Sequence, residues 1–430
     1  MELSIYTYLF KDSGKFYMYN SEVNFFSEIS DELYKVLKNR SWQELPAEVL
    51  KELTDRKILV KSTEKYNHYN SQKLLFNARK YDSTRLSLVL VPTTACNFDC
   101  PYCFEPKANP KMMDAEVINQ VRDFVKSFKE AKSLSLTWYG GEPLLAFEQI
   151  KKLYGMLTEE DMPKISSHSI VTNGYLFNQE VIDFFKATEL KSIQITLDGT
   201  EQRHNTTRCL KGCGEPTFDV ILRNIDNILR ELNDAYLSIR VNIDRTNYKE
   251  YIELLRYFKN KYPDNKHLSV YPGLIRAETE DGKSLNCDCF SCEDIFELNQ
   301  LVRAEGHDVR LFPKKESRGC MVHSLNSYII GPEGELYKCW NDVSDPELTI
   351  GNISTVKLNG SSRLLDFMTE TTPFNPECRN CHVFPVCGGG CAYYRLRNYR
   401  EGASFAVCSP FRDYSRLKSA LLEGVRPELT

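Results

Sequence analysis

From residue 86 onward the chain repeats one rhythm. Short apolar runs recur as "LSLVLV" (86–91), "LSLTWYG" (134–140), "SHSIVTNG" (167–174), "KSIQITLDG" (191–199), "LSIRVNID" (237–244) and "LSVYPGLI" (268–275). Between them lie stretches such as "DAEVINQVRDFVKSFKEA" and "FDVILRNIDNILREL", apolar at three- and four-residue spacing. The runs read as buried strands and the intervening stretches as amphipathic helices. Six strand–helix units in series predict a parallel sheet, closed or partly closed into a barrel, within an α/β fold. Such barrels carry their chemistry at the carboxyl ends of the strands.

The first 80 residues follow a different pattern. "LSIYTYLF", "KDSGK" and "FYMYN" predict a β-hairpin with a Gly-containing turn. "SDELYKVLKN", with Ser30 as its cap, and "LPAEVLKELTDRKIL" predict two helices. A short antiparallel sheet with two helices is a winged-helix pattern. DNA binding is one reading of it, but the helices hold about as many acids as bases, which argues against phosphate contacts. Residues 66–82 read as a linker. At 430 residues the chain predicts two or three domains.

Cysteine supplies the next constraint. There are 15, none before Cys96 and nine between Cys287 and Cys391. The N-terminus "MELSIYTYLF" lacks the features of a signal peptide, and no apolar run approaches a bilayer span, so the expected location is the cytosol, without a membrane partner. The cytosol keeps thiols reduced, and metal ligation accounts for such thiols better than disulfides do. A net charge of -4 and a pI near 6.1 give no sign of nucleic-acid binding.

"TTACNFDCPYCFEP" (93–106) gathers Cys96, Cys100 and Cys103 just past the end of the first strand. "GGEP" (140–143) follows the second strand, Asn173 ends the third and Asp198 the fourth. Three thiolates can hold three irons of a [4Fe–4S] cluster and leave the fourth open, as a catalytic centre requires; a zinc site is the competing reading. The spacing CxxxCxxC, with an aromatic Tyr102 before the last cysteine, resembles the signature of the radical S-adenosylmethionine (radical SAM) superfamily. The resemblance implies a partial (β/α)6 TIM-like barrel over 81–306. It implies that SAM completes the open iron and that one electron cleaves it to methionine and a 5′-deoxyadenosyl radical, which takes a hydrogen atom from substrate. It also gives "YGGEP" the methionine amino group, with Gly140 and Gly141 allowing close backbone approach and Glu142 accepting from the ammonium. "VTNG" and "LDGT" resemble segments contacting ribose and carboxylate, through Asn173, Asp198 and Arg208; a plain turn reading stands beside that role for these three.

Farther on, Cys320 and Cys339 precede "CRNCHVFPVCGGGC", which supplies Cys378, Cys381, Cys387 and Cys391, and Cys408 follows. This seven-cysteine spacing resembles the SPASM domain, here 307–430, which carries two auxiliary [4Fe–4S] clusters; a pair of zinc ribbons is the alternative. The resemblance implies one cluster on Cys378, Cys381, Cys387 and Cys408 and part of another on Cys320, Cys339 and Cys391. Cys292, or its neighbours Cys287 and Cys289, could complete the second. Cys209 and Cys213 have no assigned role.

SPASM enzymes mostly modify peptides or proteins. Residues 1–80 resemble, more loosely, the element that holds a leader peptide as an added strand in enzymes maturing ribosomally made peptides (RiPPs). The expectation is therefore a peptide maturase with SAM and three [4Fe–4S] clusters. Its partners would be a leader-bearing precursor and a reductant such as flavodoxin or ferredoxin, and its product an oxidative cross-link, a thioether ahead of a carbon–carbon bond. An anaerobic sulfatase-maturating enzyme is the alternative. Those enzymes carry an aspartate directly after the second SPASM cysteine, where this chain has Trp340, with Asp342 two residues on. An iron–sulfur electron-transfer or scaffold protein is the alternative from another class.

Overall fold

The structure, a computed structural model, describes residues 1–103, 109–275, 283–284, 287–288, 295–307, 312–315, 319–355 and 361–425. The chain forms two compact units: Met1–Lys80 with Ser291–His323 and Glu370–Thr430, and Tyr81–Phe290 with Ser324–Thr369.

The second unit is built on the predicted strand–helix series. The six runs become the strands Arg85–Leu90, Ser133–Trp138, Lys164–Thr172, Ser192–Leu197, Tyr236–Ile243 and Leu268–Leu274. They lie in that sequential order, each parallel to the next. The helices between them bury one stripe. Ala115–Ser127, capped by Asp114, buries Val117, Ile118, Val121, Phe124 and Val125, while Phe218–Glu231 buries Phe218, Ile221, Ile225 and Ile228. The series does not close on itself. The first strand pairs instead with Ser327–Ile330, in parallel, and Glu335–Tyr337 and Gly351–Asn352 extend the sheet antiparallel to nine strands. The segment 307–430, read from its cysteines as one domain, is thus divided: 324–369 belongs to the sheet and 370–430 to the other unit.

That other unit contains a three-stranded antiparallel sheet, Thr7–Asp12, Lys15–Asn20 and Phe25–Ile29, with a two-residue turn at Ser13–Gly14. Ser30 caps the helix Asp31–Asn39 by accepting from the Leu33 amide at 3.1 Å, and Ala47–Asp55 is the second helix. The expected linker at 66–82 is instead largely a helix, Asn67–Lys80. Its cause is long-range: the buried Tyr69 packs at 5.5 Å from Phe374 and 5.1 Å from Phe384, and Phe76 at 5.1 Å from Phe374. Tertiary burial overrides the weak local pattern.

Both faces of the three-stranded sheet are covered. Met18 joins Leu37, Trp42, Leu53, Ile58 and Leu59 on the helical side. Phe10 and Tyr19 join Val383, Val386, Leu417 and Leu421 on the other. Ser21 Oγ donates to the His382 carbonyl at 2.5 Å, and Tyr66 Oη to Asn380 Oδ1 at 3.0 Å. The N-terminal segment and the cysteine-rich C-terminal segment share one core.

One core histidine gives the barrel a pH dependence. His168 is buried on the third strand; Trp138 Nε1 donates to its Nε2 at 2.7 Å, so the ring is neutral and its Nδ1–H donates to the Thr188 carbonyl at 3.2 Å. Burial pulls its pKa from 6.5 to about 4. A folded pKa below the unfolded one means stability that is complete above pH 6.5 and lost as pH falls toward 4. The loss is expected to reach about 2 kcal/mol by pH 5, at ~1.4 kcal/mol per pKa unit. Denaturant titrations at pH 7.5 and 5, followed through tryptophan emission, check this. A His168→Gln variant should lose that part of the difference, and an unchanged pH dependence in it would refute the assignment.

Candidate active site at the sheet's carboxyl edge

The loop that leaves the first strand carries Cys96, Cys100 and Cys103, with Cys96 half-buried, Cys100 buried and Cys103 exposed. The Phe98 amide donates to Cys96 Sγ at 3.4 Å, and the Cys103 amide to the Cys100 carbonyl at 3.3 Å. Burial pushes the Cys96 thiol up to about 12. It therefore becomes a thiolate only against positive charge of the kind that iron supplies.

The GGEP turn presses against the approach to this loop. Tyr139 N donates to Leu90 O at 3.0 Å, Gly141 N to Thr93 O at 3.3 Å and Glu142 N to Ala95 O at 2.8 Å. A Cβ on Gly140 would collide with the Thr93 carbonyl, and one on Gly141 with the carbonyls of Thr94 and Ala95. The glycines thus admit the cysteine loop's own backbone. Glu142 also braces the strand ends. Its side chain is fully buried, accepting from Leu144 N (3.0 Å), Thr172 Oγ1 (2.8 Å) and Asn173 N (2.7 Å). Burial raises its pKa and these bonds oppose the rise. A carboxylate held in this way staples the second strand end to the third.

Asn173 continues the staple. Its Nδ2 donates to Asn97 Oδ1 at 2.7 Å and its Oδ1 accepts from Tyr175 N at 2.9 Å. The other contacts converge on Tyr102. Its hydroxyl donates to Asp198 Oδ2 at 2.5 Å and accepts from Arg208 Nη1 at 3.0 Å and Asn242 Nδ2 at 3.2 Å. Burial holds the Tyr102 phenol well above its ordinary pKa, so it remains a donor. Thr207 Oγ1 donates to the same Asp198 oxygen at 2.8 Å, and the Arg208 guanidinium lies 5.5 Å over the Phe98 ring. The cysteine triplet, four further strand ends and the buried Arg208–Asp198 pair at 3.9 Å are drawn to a single place. Asn97, Phe98, Thr207 and Asn242 were not singled out from sequence. Asn97 and Phe98 sit inside the cysteine motif, where their position could have flagged them; Asn242 carries no local mark.

The donor set suits a polar, charged cofactor. Asp198 Oδ1, Arg208 Nε and Asn97 Nδ2 are buried without a hydrogen-bond partner, and buried polar atoms are ordinarily paired. Unsatisfied groups of both signs beside three cysteines fit a zwitterionic amino-acid cofactor at an iron site.

A family model described as "Radical SAM superfamily" matches residues 90–258. The chain carries a radical SAM domain. The cysteine-type anaerobic sulfatase-maturating enzyme of Clostridium novyi is 25% identical over 358 residues, covering 76% of this chain and 94% of that enzyme. Among solved structures, native anSMEcpe with bound AdoMet and Cp18Cys peptide superposes with a TM-score of 0.60 at 23% identity, covering 80% and 98% of the two chains. Streptococcus suis SuiB bound to precursor peptide SuiA superposes at 0.51 with 15% identity, over 96% and 98%. These likenesses show the fold. The chain is an α/β enzyme that carries a radical SAM domain, similar in sequence to sulfatase-maturating enzymes and in fold to SuiB.

The C-terminal cysteines form a second feature. Cys378, Cys381, Cys387 and Cys408 line one cavity of about 80 Å³, together with Arg395 and Arg412. Gly390 has φ +75°, and a Cβ there would meet the Val407 carbonyl, so the "GGG" run lets the Cys387 turn close on the segment bearing Cys408. Among the described residues, no three or more His, Cys, Asp or Glu side chains converge as on a single metal ion. Cys320 and Cys391 are exposed and Cys339 is buried. Cys289 and Cys292 lie outside the described residues, and Cys287 is described only as backbone in a short strand. Cys209 and Cys213 sit in a loop joined to the cysteine motif by a Phe98–Leu210 bridge and a 2.8 Å bond from Lys211 N to Asn97 O. No described helix is long and apolar enough to cross a membrane.

Proposed function

We propose that the chain is a radical SAM/SPASM maturase that installs an oxidative cross-link in a ribosomally made precursor peptide. The observation that carries this reading is the coexistence of the strand-end cysteine triplet with a separate four-cysteine cavity. Cys96, Cys100 and Cys103 would hold a [4Fe–4S] cluster, and Asp198, Arg208 and Asn97 carry the unsatisfied groups suited to SAM. With SAM, such a cluster supplies hydrogen-atom abstraction from a substrate carbon. The protein's part is positioning: Tyr102 ties the cysteine loop to the fourth and fifth strand ends, while Glu142 and Asn173 tie it to the second and third. The seven-cysteine spacing supports two further clusters. The three-stranded sheet at 7–29 offers edges for an added leader strand, and the likeness to SuiB bound to its precursor peptide covers 96% of this chain. The cross-link is read as a thioether, with a carbon–carbon bond as the second form.

Sulfatase-type maturation is the second reading, favoured by the match over 94% of the Clostridium novyi enzyme. Against it stands the position after Cys339. Trp340 occupies it, packed at 4.5 Å from Tyr139, and Asp342 is fully buried, held by Arg363 at 2.8 and 2.6 Å. A carboxylate bound bidentately to arginine is a weak base.

The test is anaerobic reaction of the reconstituted full chain with SAM and dithionite, on two peptides: the product of a short open reading frame beside the gene, and a synthetic cysteine-containing sulfatase-type peptide. The expected result is loss of two hydrogens from the first, with its cysteines no longer alkylated by iodoacetamide. Two-hydrogen loss with every cysteine still alkylated would replace the thioether by a carbon–carbon bond. Hydrazide capture of an aldehyde on the second peptide alone would establish the sulfatase reading instead.

A further inference from the structure

The four-cysteine cavity has a feature beyond its sulfurs: N–H groups and cations are aimed at them. Arg412 Nη1 donates to Cys408 Sγ at 3.1 Å. The Gly389 amide donates to Cys387 Sγ at 3.4 Å, and the Val383 amide donates to Cys381. Arg395 lines the same cavity, its Nε fixed on the Gly389 carbonyl at 2.7 Å. Arg412 also faces the exposed Glu377 at 3.4 Å and its own side chain is 49% exposed, so its charge is partly screened while its N–H···S bond is not.

A cluster bound by four thiolates is anionic and gains another negative charge on reduction. Donors and cations at the sulfurs therefore stabilise the reduced form more than the oxidised form, and raise the potential. We propose that Arg412, seconded by Arg395, sets the reduction potential of a cluster held by Cys378, Cys381, Cys387 and Cys408, making it the electron acceptor of the reaction; this rests on the cluster assignment above. The balance requires such an acceptor. In an oxidative cross-link one substrate hydrogen leaves as an atom to the SAM-derived radical, and the second leaves as a proton and an electron. A cluster held by these four cysteines would supply the one-electron oxidant for that step, with a flavodoxin- or ferredoxin-class carrier as the final acceptor. Arg412 is a positioning residue in this scheme, since it acts through the cluster and not on the peptide.

The experiment is an EPR-monitored redox titration of the reconstituted full chain, following the signal that SAM does not perturb and that a Cys378→Ala/Cys387→Ala variant loses. Relative to wild type, Arg412→Gln should move its midpoint to lower potential with iron content unchanged. Arg412→Lys, which keeps charge and loses the fork, should move it less. Identical midpoints in wild type and both variants overturn the role of Arg412. Should Arg412→Gln fail to load iron, Arg395→Gln carries the same test, with the same downward shift expected and an unmoved midpoint overturning the proposal. A Cys378→Ala/Cys387→Ala variant separates the underlying assignment: iron content and signals equal to wild type would show that these cysteines hold no cluster.

Discussion

Replacing Cys96, Cys100 and Cys103 together by Ala is expected to bring formation of 5′-deoxyadenosine from SAM down to background, a loss of more than about a thousandfold. The reason is local. These thiols are the only cysteines in the 93–103 loop, and the other contacts of the site approach that loop through Tyr102, Asn97 and the Thr93–Ala95 backbone. Those contacts survive the substitution, so the barrel should remain folded. Iron should fall by about four of about twelve atoms per chain, at four irons per cluster. Anaerobic reconstitution, iron and sulfide assay, and chromatography of the nucleoside product check both statements. Wild-type SAM cleavage by the triple variant would sink the assignment, and a wild-type plateau near four irons with bound zinc would remove the auxiliary clusters.

The second large effect lies in the N-terminal segment. Phe10→Ala is expected to destabilise its unit by about 3–5 kcal/mol, because the ring is buried in a core shared with Tyr19, Val383, Val386, Leu417 and Leu421. Val383 and Val386 lie between Cys381 and Cys387, so the same variant should lose iron from the four-cysteine cavity. Removal of residues 1–80 should do so more completely, since it bares that apolar face and also strips Tyr6 and Tyr69 from Phe384, Cys378 and Cys381. Thermal unfolding and iron retention after gel filtration measure the effect. Glu28→Ala serves as control: Glu28 is exposed, and its bond to Lys15 at 2.8 Å joins two exposed, solvent-screened side chains, so stability and iron content should stay at the wild-type level. Full iron retention on deleting 1–80 would show that the C-terminal segment forms its site alone. The segment is therefore a structural wall of the cysteine-rich unit as well as the proposed leader-binding element, and deletion experiments on it report both roles together.

What was legible from sequence is what local pattern encodes. Each of the six parallel strands, Ser30 as a cap and the placement of cysteines at strand ends follow from periodicities of two and 3.6 and from spacings of a few residues, which the chain must satisfy whatever it packs against. The three thiols after the first strand were picked out by their spacing, and the four that line the C-terminal cavity were grouped by the resemblance that their spacing carries. Their direction was not legible. Glu142 carried a cofactor role only through the resemblance; what no local pattern showed is that the fold encloses it among Thr172, Asn173 and Leu144, residues about 30 positions away or in its own turn. The glycines before it were needed, but to admit the Thr93–Ala95 backbone. Residues 66–82 lacked a helical stripe strong enough to read, and became a helix because Phe374 and Phe384, some 300 residues on, cover Tyr69 and Phe76. Ser327–Ile330 joined the barrel sheet for the same kind of reason: the open edge of Arg85–Leu90 presents backbone donors and acceptors that some strand must satisfy, and nothing within four residues names which. Sequence determined the elements and the chemistry of their ends. Only the tertiary structure decided which backbone each element faces, because that choice is made by burial between segments that share no local signal.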